Sequence, residues 1–254
     1  QKIKILVPTL STQKRIVSIL ERAEKLKEKR KQANKLIQKL PQAVFLEMFG
    51  DPKLNSKKFV MNQIDDILID TKYGLSKKSN FYGNGSPMIG MNSLSYDGYL
   101  DYKNLNHVEI EENNFNKYKL ENGDILFNRT NSKELVGKTA IFDNSNPMVY
   151  ASYLIRLRVD KKKANPFYLW GFLNSKYGKA LLFETSRQAV SQANINAQEL
   201  KRMSLPLPPI YQQNKFEQII KHQTKLYKKQ IQAENKINLV FDSLMQKAFN
   251  DELS

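Results

Sequence analysis

The sequence predicts an α+β fold, in which a globular domain with a mixed β-sheet and helices is flanked by two long coiled-coil-forming α-helices. Three observations predict it. Residues 1–50 and 201–254 repeat each other, both copies show a helical apolar period, and residues 51–200 hold short apolar runs between turn signals. The predicted boundaries are therefore 1–50 for a region with a long helix, 51–200 for the globular domain and 201–254 for a second region with a long helix.

The two ends of the chain align with each other at an offset of 200 residues. Pro8 aligns with Pro208 and Phe49 with Phe249, and identical or similar residues recur between them without a gap. Each copy opens with an extended segment that contains proline, where a preceding helix would stop because proline lacks an amide donor. The offset indicates two copies of one structural unit.

In both copies apolar residues recur at a period of 3.5, which is typical of a coiled-coil seam. A helix of about 30 residues is about 45 Å long, and its seam needs a partner. That partner is either the other copy, antiparallel in the same chain, or a second chain; simple core helices are the alternative. Arg30, Gln223 and Gln230 are polar seam residues, which usually fix the register or the partner of a helix pair. The predicted seam or dimerisation residues are Ile16, Ile19, Leu26, Ile37, Phe216, Ile219, Leu226 and Ile237.

The central region differs in composition, with most of the Gly, Asn and Tyr. Turn signals such as Asn122-Gly123 separate the apolar runs. Asn165-Pro166 is a typical helix start, with an N-cap followed by proline in the first turn. The predicted strands cover 59–69, 87–91, 124–128, 139–142 and 150–159, and the predicted helix covers 167–183.

Composition narrows the function classes. The net charge is +16, and residues 1–41 alone carry twelve Lys or Arg against three Glu. Such a chain attracts polyanions, chiefly nucleic acid or an anionic membrane surface, although solvated helix faces are the alternative explanation of the charge.

The absence of cysteine excludes disulfides and thiolate metal sites and fits a reducing cytoplasm. No apolar run is long enough to span a bilayer. The chain begins with Gln rather than Met, which predicts a fragment boundary or a trimmed terminus.

Two segments superficially suggest catalysis. Asn165-Pro166-Phe167-Tyr168 is similar to the tetrad with which amino-methyltransferases grip a base, but it lacks the second proline and opens a helix. Gly137-Lys138-Thr139 is similar to the end of a phosphate-binding loop, but it lacks the upstream glycine and precedes a strand. The sequence therefore predicts no catalytic residues.

Three acids near the start of the central region could assemble a metal site. Asp65, Asp66 and Asp70 lie close together in sequence, yet acids at such positions are usually turn and cap residues. The prediction is no metal site.

Three predicted loops combine residue types that read DNA. Arg and Lys pair with guanine edges and phosphates, whereas Asn and Gln pair with adenine edges. Loops of this kind are more often solvated turns, so only their joint occurrence in a basic chain favours DNA. The predicted DNA-binding residues are Lys72, Tyr73, Ser76, Lys77, Lys78, Asn128, Arg129, Thr130, Asn131, Ser132, Lys133, Lys138, Arg187, Gln188, Gln192 and Asn194.

These segments resemble the specificity (S) subunit of type I restriction-modification enzymes. The run from Gly123 to Arg129, followed by Gly137-Lys138, is similar to a segment of that family's target-recognition domain. The passage from Gln192 to Gln213 resembles the family's junction between domain and helix, except that Ala193 stands where the family usually has proline. The segment from Pro8 to Val17 resembles the same junction of a preceding domain. The resemblance covers essentially the whole chain.

The resemblance implies a non-catalytic subunit that reads one half of a split double-stranded DNA target. It implies that the helices separate two such readers and dock methyltransferase (M) subunits, with motor-nuclease (R) subunits as further partners in the cytoplasm. S-adenosylmethionine, Mg and ATP are expected only in those partner subunits. One target-recognition domain with two helices matches half of a complete subunit, and a homodimer would restore two readers. The alternative is a coiled-coil structural adaptor whose central domain binds protein rather than DNA.

Overall fold

The structure is a computed structural model that describes residues 9–131, 137–186 and 193–249. It divides into two compact units. The helical unit comprises Gln1–Leu40 and Lys221–Ser254, and the central unit comprises Pro41–Ile220. The central unit is longer at both ends than the 51–200 domain predicted from composition. The reason is that Phe45, Phe49, Phe216 and Ile220, which belong to the two long helices, are buried in its core.

Both long helices are present. Helix α1 spans Leu10–Phe49 and helix α6 spans Ile210–Phe249. The hydroxyl of Thr9 caps α1 by accepting a hydrogen bond from the Thr12 amide at 3.3 Å. No helix among the described residues is long and apolar enough to cross a membrane.

Within the helical unit the two helices run antiparallel. Asn34 Nδ2 donates to Glu234 Oε2 at 2.5 Å, and Gln38 Nε2 donates to the Tyr227 hydroxyl at 2.6 Å. Lys27 Nζ lies 4.9 Å from the centroid of the Phe241 ring. As the residue number along α1 increases, the residue number of its partner in α6 decreases. The two copies of the repeat therefore pair in opposite directions.

The predicted seam residues differ in burial. Ile16, Ile19, Ile37, Ile219 and Ile237 are half-buried. Leu26 and Leu226 are 60% and 46% exposed, whereas Phe216 lies in the core of the central unit. In the helical unit, Ile19, Leu26 and Ile237 line a groove of about 390 Å³. Buried polar residues, including Asn34 at 6% exposure, share the interface with this apolar stripe.

Gln223, predicted as a polar seam residue, has a specific partner. Pro41 lies inside α1, and since proline has no amide hydrogen, it cannot donate to the carbonyl of Ile37 four residues earlier. Gln223 Nε2 donates to that carbonyl at 2.7 Å, and the Gln223 side chain is 5% exposed. One helix therefore supplies the donor that the other helix lacks.

The central unit contains eleven strands and four shorter helices among its described residues. In chain order they are β1 Val60–Gln63, β2 Leu68–Tyr73, β3 Ser86–Ile89, β4 Asn106–Val108, α2 Glu112–Tyr118, β5 Ile125–Asn128, β6 Thr130–Asn131, β7 Thr139–Ile141, β8 Val149–Tyr150, β9 Leu154–Val159, α3 Pro166–Asn174, α4 Lys176–Ser186, β10 Ala193–Asn194, α5 Ala197–Lys201 and β11 Ser204–Leu207.

The strands form a four-stranded antiparallel sheet of order β2-β9-β5-β7 and a three-stranded sheet of order β4-β3-β8. The β3–β8 pair is parallel, whereas β3–β4 is antiparallel. Two further pairs, β1–β11 and β6–β10, are antiparallel. The predicted α+β class with a mixed sheet is therefore confirmed.

Strand β5 divides the core into two layers, because successive side chains in a strand point to opposite faces. Ile125 and Phe127 belong to the large cluster that includes Phe172 of α3. Leu126 belongs instead to the cluster around Tyr150. Because both faces of β5 are buried, the end of this strand is held by packing. The segment that starts at Arg129 therefore leaves the sheet from a well-packed strand.

Three predicted elements are wrong in extent. The strand predicted over 59–69 is two strands, separated by the 3₁₀ turn Ile64–Ile67. The strand predicted over 150–159 is interrupted at 151–153, between β8 and β9. The helix predicted over 167–183 breaks at Ser175, which has an extended ψ of 158° and whose hydroxyl caps the Gly178 amide at 3.0 Å. The start of that helix is confirmed, because the Asn165 side chain accepts from the Phe167 amide at 2.9 Å.

Candidate nucleic-acid interface

The second predicted loop begins where β5 ends. Its base is closed by backbone hydrogen bonds: Asn128 N donates to Lys138 O at 2.8 Å, and Gly137 N donates to Asn128 O at 3.1 Å. The side chains of Asn128 and Lys138 are buried and half-buried respectively. Ser132 and Lys133 lie outside the described residues, and Asn131 is described by its backbone alone. Arg129 and Thr130 are thus the described side chains that leave the sheet at this point.

Arg129 is held in place by two other segments. Its guanidinium carbon lies 5.0 Å from the centroid of the Tyr73 ring, a cation–π geometry. Its Nε donates to the Ser152 carbonyl at 3.4 Å, and its amide donates to the Tyr153 carbonyl at 3.1 Å. The half-buried Arg129 side chain is therefore oriented by the end of β2 and by the 151–153 interruption.

The third predicted loop reaches the same place through β10. Asn194 pairs with Thr130 across the β6–β10 ladder, and the Thr130 hydroxyl donates to Asn194 Oδ1 at 3.4 Å. Ile195 N donates to Arg129 O at 3.0 Å, and Ala197 N donates to the Tyr73 hydroxyl at 3.0 Å. Arg187, Gln188 and Gln192 lie outside the described residues. Parts of all three predicted loops therefore meet at one site, which we call the Tyr73–Arg129 cluster: Tyr73, Arg129, Thr130 and Asn194.

The remaining predicted residues lie along the first segment. Lys72 is half-buried in β2, opposite Arg156 of β9. Ser76, Lys77 and Lys78 are exposed on the stretch that leads away from β2. They extend the basic surface of this segment rather than joining the Tyr73–Arg129 cluster.

Helix α4 holds the far end of the second loop. Lys179 Nζ donates to the Gly137 carbonyl at 2.9 Å, and the Thr139 hydroxyl donates to the same carbonyl at 3.0 Å. Burial lowers the pKa of Lys179 to about 8, while Asp97 opposes this shift. Gly137 has a φ of +78°, and a Cβ there would lie 2.9 Å from Leu182 Cδ1. This end of the loop is therefore fixed by packing as well as by hydrogen bonds.

Two acidic residues of the four-stranded sheet and its edge, Asp70 and Asp124, are engaged in ion pairs. Asp124 accepts two hydrogen bonds of 2.8 Å from the Arg158 guanidinium, which raises the pKa of Arg158. Asp70 pairs with the buried Arg156. Such paired carboxylates contribute little negative charge to repel a polyanion.

The other two acids considered as metal ligands have structural partners as well. Asp65 pairs with Lys201 at 2.8 Å, and Asp66 caps the 3₁₀ turn by accepting from the Gln63 amide at 2.8 Å. Within the described part of the chain, His, Asp and Glu form no group of three that could hold a metal ion.

Two contributors to the site were not predicted. Tyr153, whose carbonyl accepts from the Arg129 amide, is 50% exposed, and Lys179 donates to the Gly137 carbonyl at the far end of the second loop. The only sequence signal for Tyr153 is the Ala-Ser-Tyr interruption of an apolar run at 151–153. Lys179 carries no signal, because its role depends on how α4 packs against Gly137.

Most of the chain matches one known protein family. Residues 56–240 match the family described as type I restriction modification DNA specificity domain. The chain belongs to this family. The family inferred from the sequence segments is thereby confirmed, and membership favours the DNA-specificity interpretation over the protein-binding adaptor.

Curated relatives of this DNA specificity family are similar along most of the chain. The putative type I restriction enzyme MjaX specificity subunit of Methanocaldococcus jannaschii is 32% identical over 194 residues, covering 74% of this chain and 45% of the relative. The type I restriction enzyme EcoKI specificity subunit of Escherichia coli is 27% identical over 271 residues, covering 99% of this chain and 58% of the relative. The chain thus spans about half the length of these relatives.

Solved structures share the fold. The type I restriction-modification S subunit from M. genitalium superposes with a TM-score of 0.60 at 15% identity, over 95% of this chain and 61% of that one. The HsdS subunit from Thermoanaerobacter tengcongensis gives a TM-score of 0.51 at 20% identity, over 96% and 60%.

Proposed function

We propose that this chain is a non-catalytic DNA sequence-specificity subunit, or half of one, that reads one half of a split double-stranded DNA target. The observation that carries the proposal is the convergence of Tyr73, Arg129, Thr130 and Asn194 from three segments of a basic chain in the DNA specificity family. An Arg oriented by an aromatic ring, beside hydroxyl and amide side chains, has the chemistry of base-edge readout. The subunit would act in the cytoplasm.

Catalysis belongs to partners in this proposal. Methyltransferase subunits would dock on the helical unit and use S-adenosylmethionine, and motor-nuclease subunits would use ATP and Mg. The chain itself would need no cofactor. Its helices would set the distance between two readers.

The repeat supports a second reader. Phe216 and Ile220 are 0% and 2% exposed in the core of the central unit. Their equivalents at an offset of 200, Ile16 and Leu20, are only half-buried in the helical unit. A second globular domain of the same kind would cover Ile16 and Leu20, as the central unit covers Phe216 and Ile220. A homodimer or a preceding part of a longer chain would supply that domain.

The role of Arg129 can be tested by selecting bound duplexes from a random-sequence pool with the purified chain. A bidentate Arg–guanine contact discriminates against a wrong base by about 1–3 kcal/mol, or roughly 5- to 150-fold. The Arg129→Ala variant is therefore expected to lose selectivity at one position of the enriched motif. The exposed Arg202, replaced in the same way, is the charge-matched control. An unchanged motif in Arg129→Ala would contradict the proposed site.

The number of readers can be tested with the methylome of cells that express the chain with its methyltransferase subunit. A palindromic split motif is expected from a homodimer, whereas an asymmetric motif indicates a different first domain. The absence of any methylated motif, with the complex present in the cells, would count against the specificity function.

A further inference from the structure

Two adjacent aromatic side chains of the central unit project into solvent. Phe81 is 83% exposed and Tyr82 is 88% exposed. Large aromatic side chains normally bury most of their surface, and exposed apolar groups that lie together mark interaction sites. Phe81 and Tyr82 lie outside the Tyr73–Arg129 cluster, so the exposure of these two rings needs a separate explanation.

The two rings stand on an ordered turn, residues 80–84, which we call the aromatic tip. Asn80 and His107 exchange two backbone hydrogen bonds of 2.8 Å, which fixes the base of the tip to β4. The Asn80 side chain closes it, since its Oδ1 accepts from Tyr82 N at 3.0 Å and its Nδ2 donates to Asn84 O at 3.1 Å. The tip is therefore preformed, and little ordering of its backbone would be needed on binding.

The segment that carries the tip is basic, although the exposed Glu109 lies next to Gly85 at the end of β4. Residues 71–96 contain three lysines, at 72, 77 and 78, and no Asp or Glu. Lys77 and Lys78 are exposed and precede Phe81 by four and three residues, respectively. Duplex DNA offers phosphates to such lysines and flat apolar base surfaces to the rings.

The tip is also within reach of the proposed DNA site. Leu75 is tied to Ser152 by a 3.0 Å backbone hydrogen bond, and the Ser152 carbonyl accepts from Arg129. The five residue-to-residue steps from Leu75 to Asn80 span at most about 17 Å. This is about half of one helical turn of DNA, so a duplex seated on Arg129 can extend to the tip.

We propose that Phe81 and Tyr82 form an apolar wedge that inserts at a base-pair step of the bound duplex and kinks it. The wedge rests on the proposed DNA-reading function and adds to it a contact that bends DNA without reading base edges. Wedges of Phe and other apolar residues unstack base steps in this way, while neighbouring cations hold the backbone. Lys77 and Lys78 supply those cations.

The experiment uses the full chain and a 30-base-pair duplex that the unmodified chain enriches from a random-sequence pool. The double variant Phe81→Ser, Tyr82→Ser is compared with Tyr211→Ser, which removes a 68% exposed tyrosine from α6. Affinity, its dependence on salt and the energy transfer between fluorophores at the duplex ends are measured. Thermal unfolding of all three proteins is recorded, and it should not differ, because the replaced rings are exposed.

The double variant is expected to bind about 5- to 100-fold more weakly and to lose the energy-transfer change, as stacking contacts on bases have this magnitude. The slope of affinity against salt should stay the same, because uncharged rings release no counterions. Replacing Lys77 and Lys78 by Ala should instead reduce that slope by about 2.

Affinity and bending equal to those of Tyr211→Ser would overturn the wedge. Loss of association with the methyltransferase subunit, with DNA binding unchanged, would also overturn it and assign the tip to that protein. If the unmodified chain enriches no duplex, the proposed function itself fails, and the wedge fails with it.

Discussion

The contribution of the Gln223–Ile37 hydrogen bond to stability can be measured separately from other contacts of the helix pair. Pro41 leaves that carbonyl without its helical donor, and Gln223 Nε2 occupies the position at 2.7 Å. Gln223→Met keeps the length of the side chain and removes the donor. Pro41→Ala restores an amide that can donate to Ile37 along α1.

The magnitude follows from the two backgrounds. Leaving a buried carbonyl unsatisfied costs about 1–3 kcal/mol. In the native background, Gln223→Met incurs this cost, partly offset because it also removes Gln223 Oε1, which has no partner among the described residues. In the Pro41→Ala background the carbonyl keeps a donor, while the offset is the same. The double-mutant cycle therefore cancels the offset and leaves a coupling of about 1–3 kcal/mol.

Urea unfolding of the full chain, followed by far-UV circular dichroism, measures the four corners of the cycle. The matched control is Gln230→Met, another polar seam residue of α6, which should show no coupling to Pro41→Ala. Additivity between independent sites holds to about 0.3–0.5 kcal/mol. A coupling for Gln223 within that limit would refute the assignment of its amide to the Ile37 carbonyl.

Two further predictions concern the central unit. Between pH 7 and 9.5 the unfolded chain keeps a proton on Lys179 that the folded chain, with its lowered pKa of about 8, releases. The free energy of unfolding, measured relative to Lys179→Met, should therefore rise by about 2 kcal/mol over this range, and the same comparison with the exposed Lys176→Met should be flat. Gly98 has a φ of +89°, and a Cβ there would lie 2.7 Å from Trp170 Nε1. Gly98→Ala should lower stability by more than about 2 kcal/mol, against about 1 kcal/mol for Gly83→Ala, whose φ is +81° in open space; equal shifts of the unfolding temperature would count against this packing.

The long helices could be predicted because their signal is repeated along the chain. Each copy carries an apolar period over many turns after a proline-containing start, and the offset of 200 doubles the observation. The burial of individual seam residues could not be predicted. The heptad pattern assigns both Leu26 and Phe216 to the apolar seam. Leu26 is nevertheless 60% exposed, whereas Phe216 is buried in the central unit.

Breaks inside continuous apolar runs escaped prediction for a local reason. Ser175 divides the predicted helix over 167–183 by capping both halves, and no proline or glycine stands at that residue to mark the end of a helix. Likewise, the meeting of Tyr73, Arg129 and Asn194 depends on strand register between segments far apart in sequence. The residue types of the site could be predicted from DNA chemistry, whereas their arrangement required the fold.

The internal repeat raises the question of how α1 selects α6 rather than a second α1. Asn34 and Glu234, which are hydrogen-bonded, are equivalent positions of the repeat, so the helix pair has a local two-fold relation at that point. Similar copies could pair with themselves just as well. The repeat equivalent of Gln223 is Ala23, which has no donor to offer the Ile37 carbonyl. A pair of two α1 helices would therefore leave that carbonyl unsatisfied, and a single polar contact of this kind is enough to specify partner choice between otherwise similar helices.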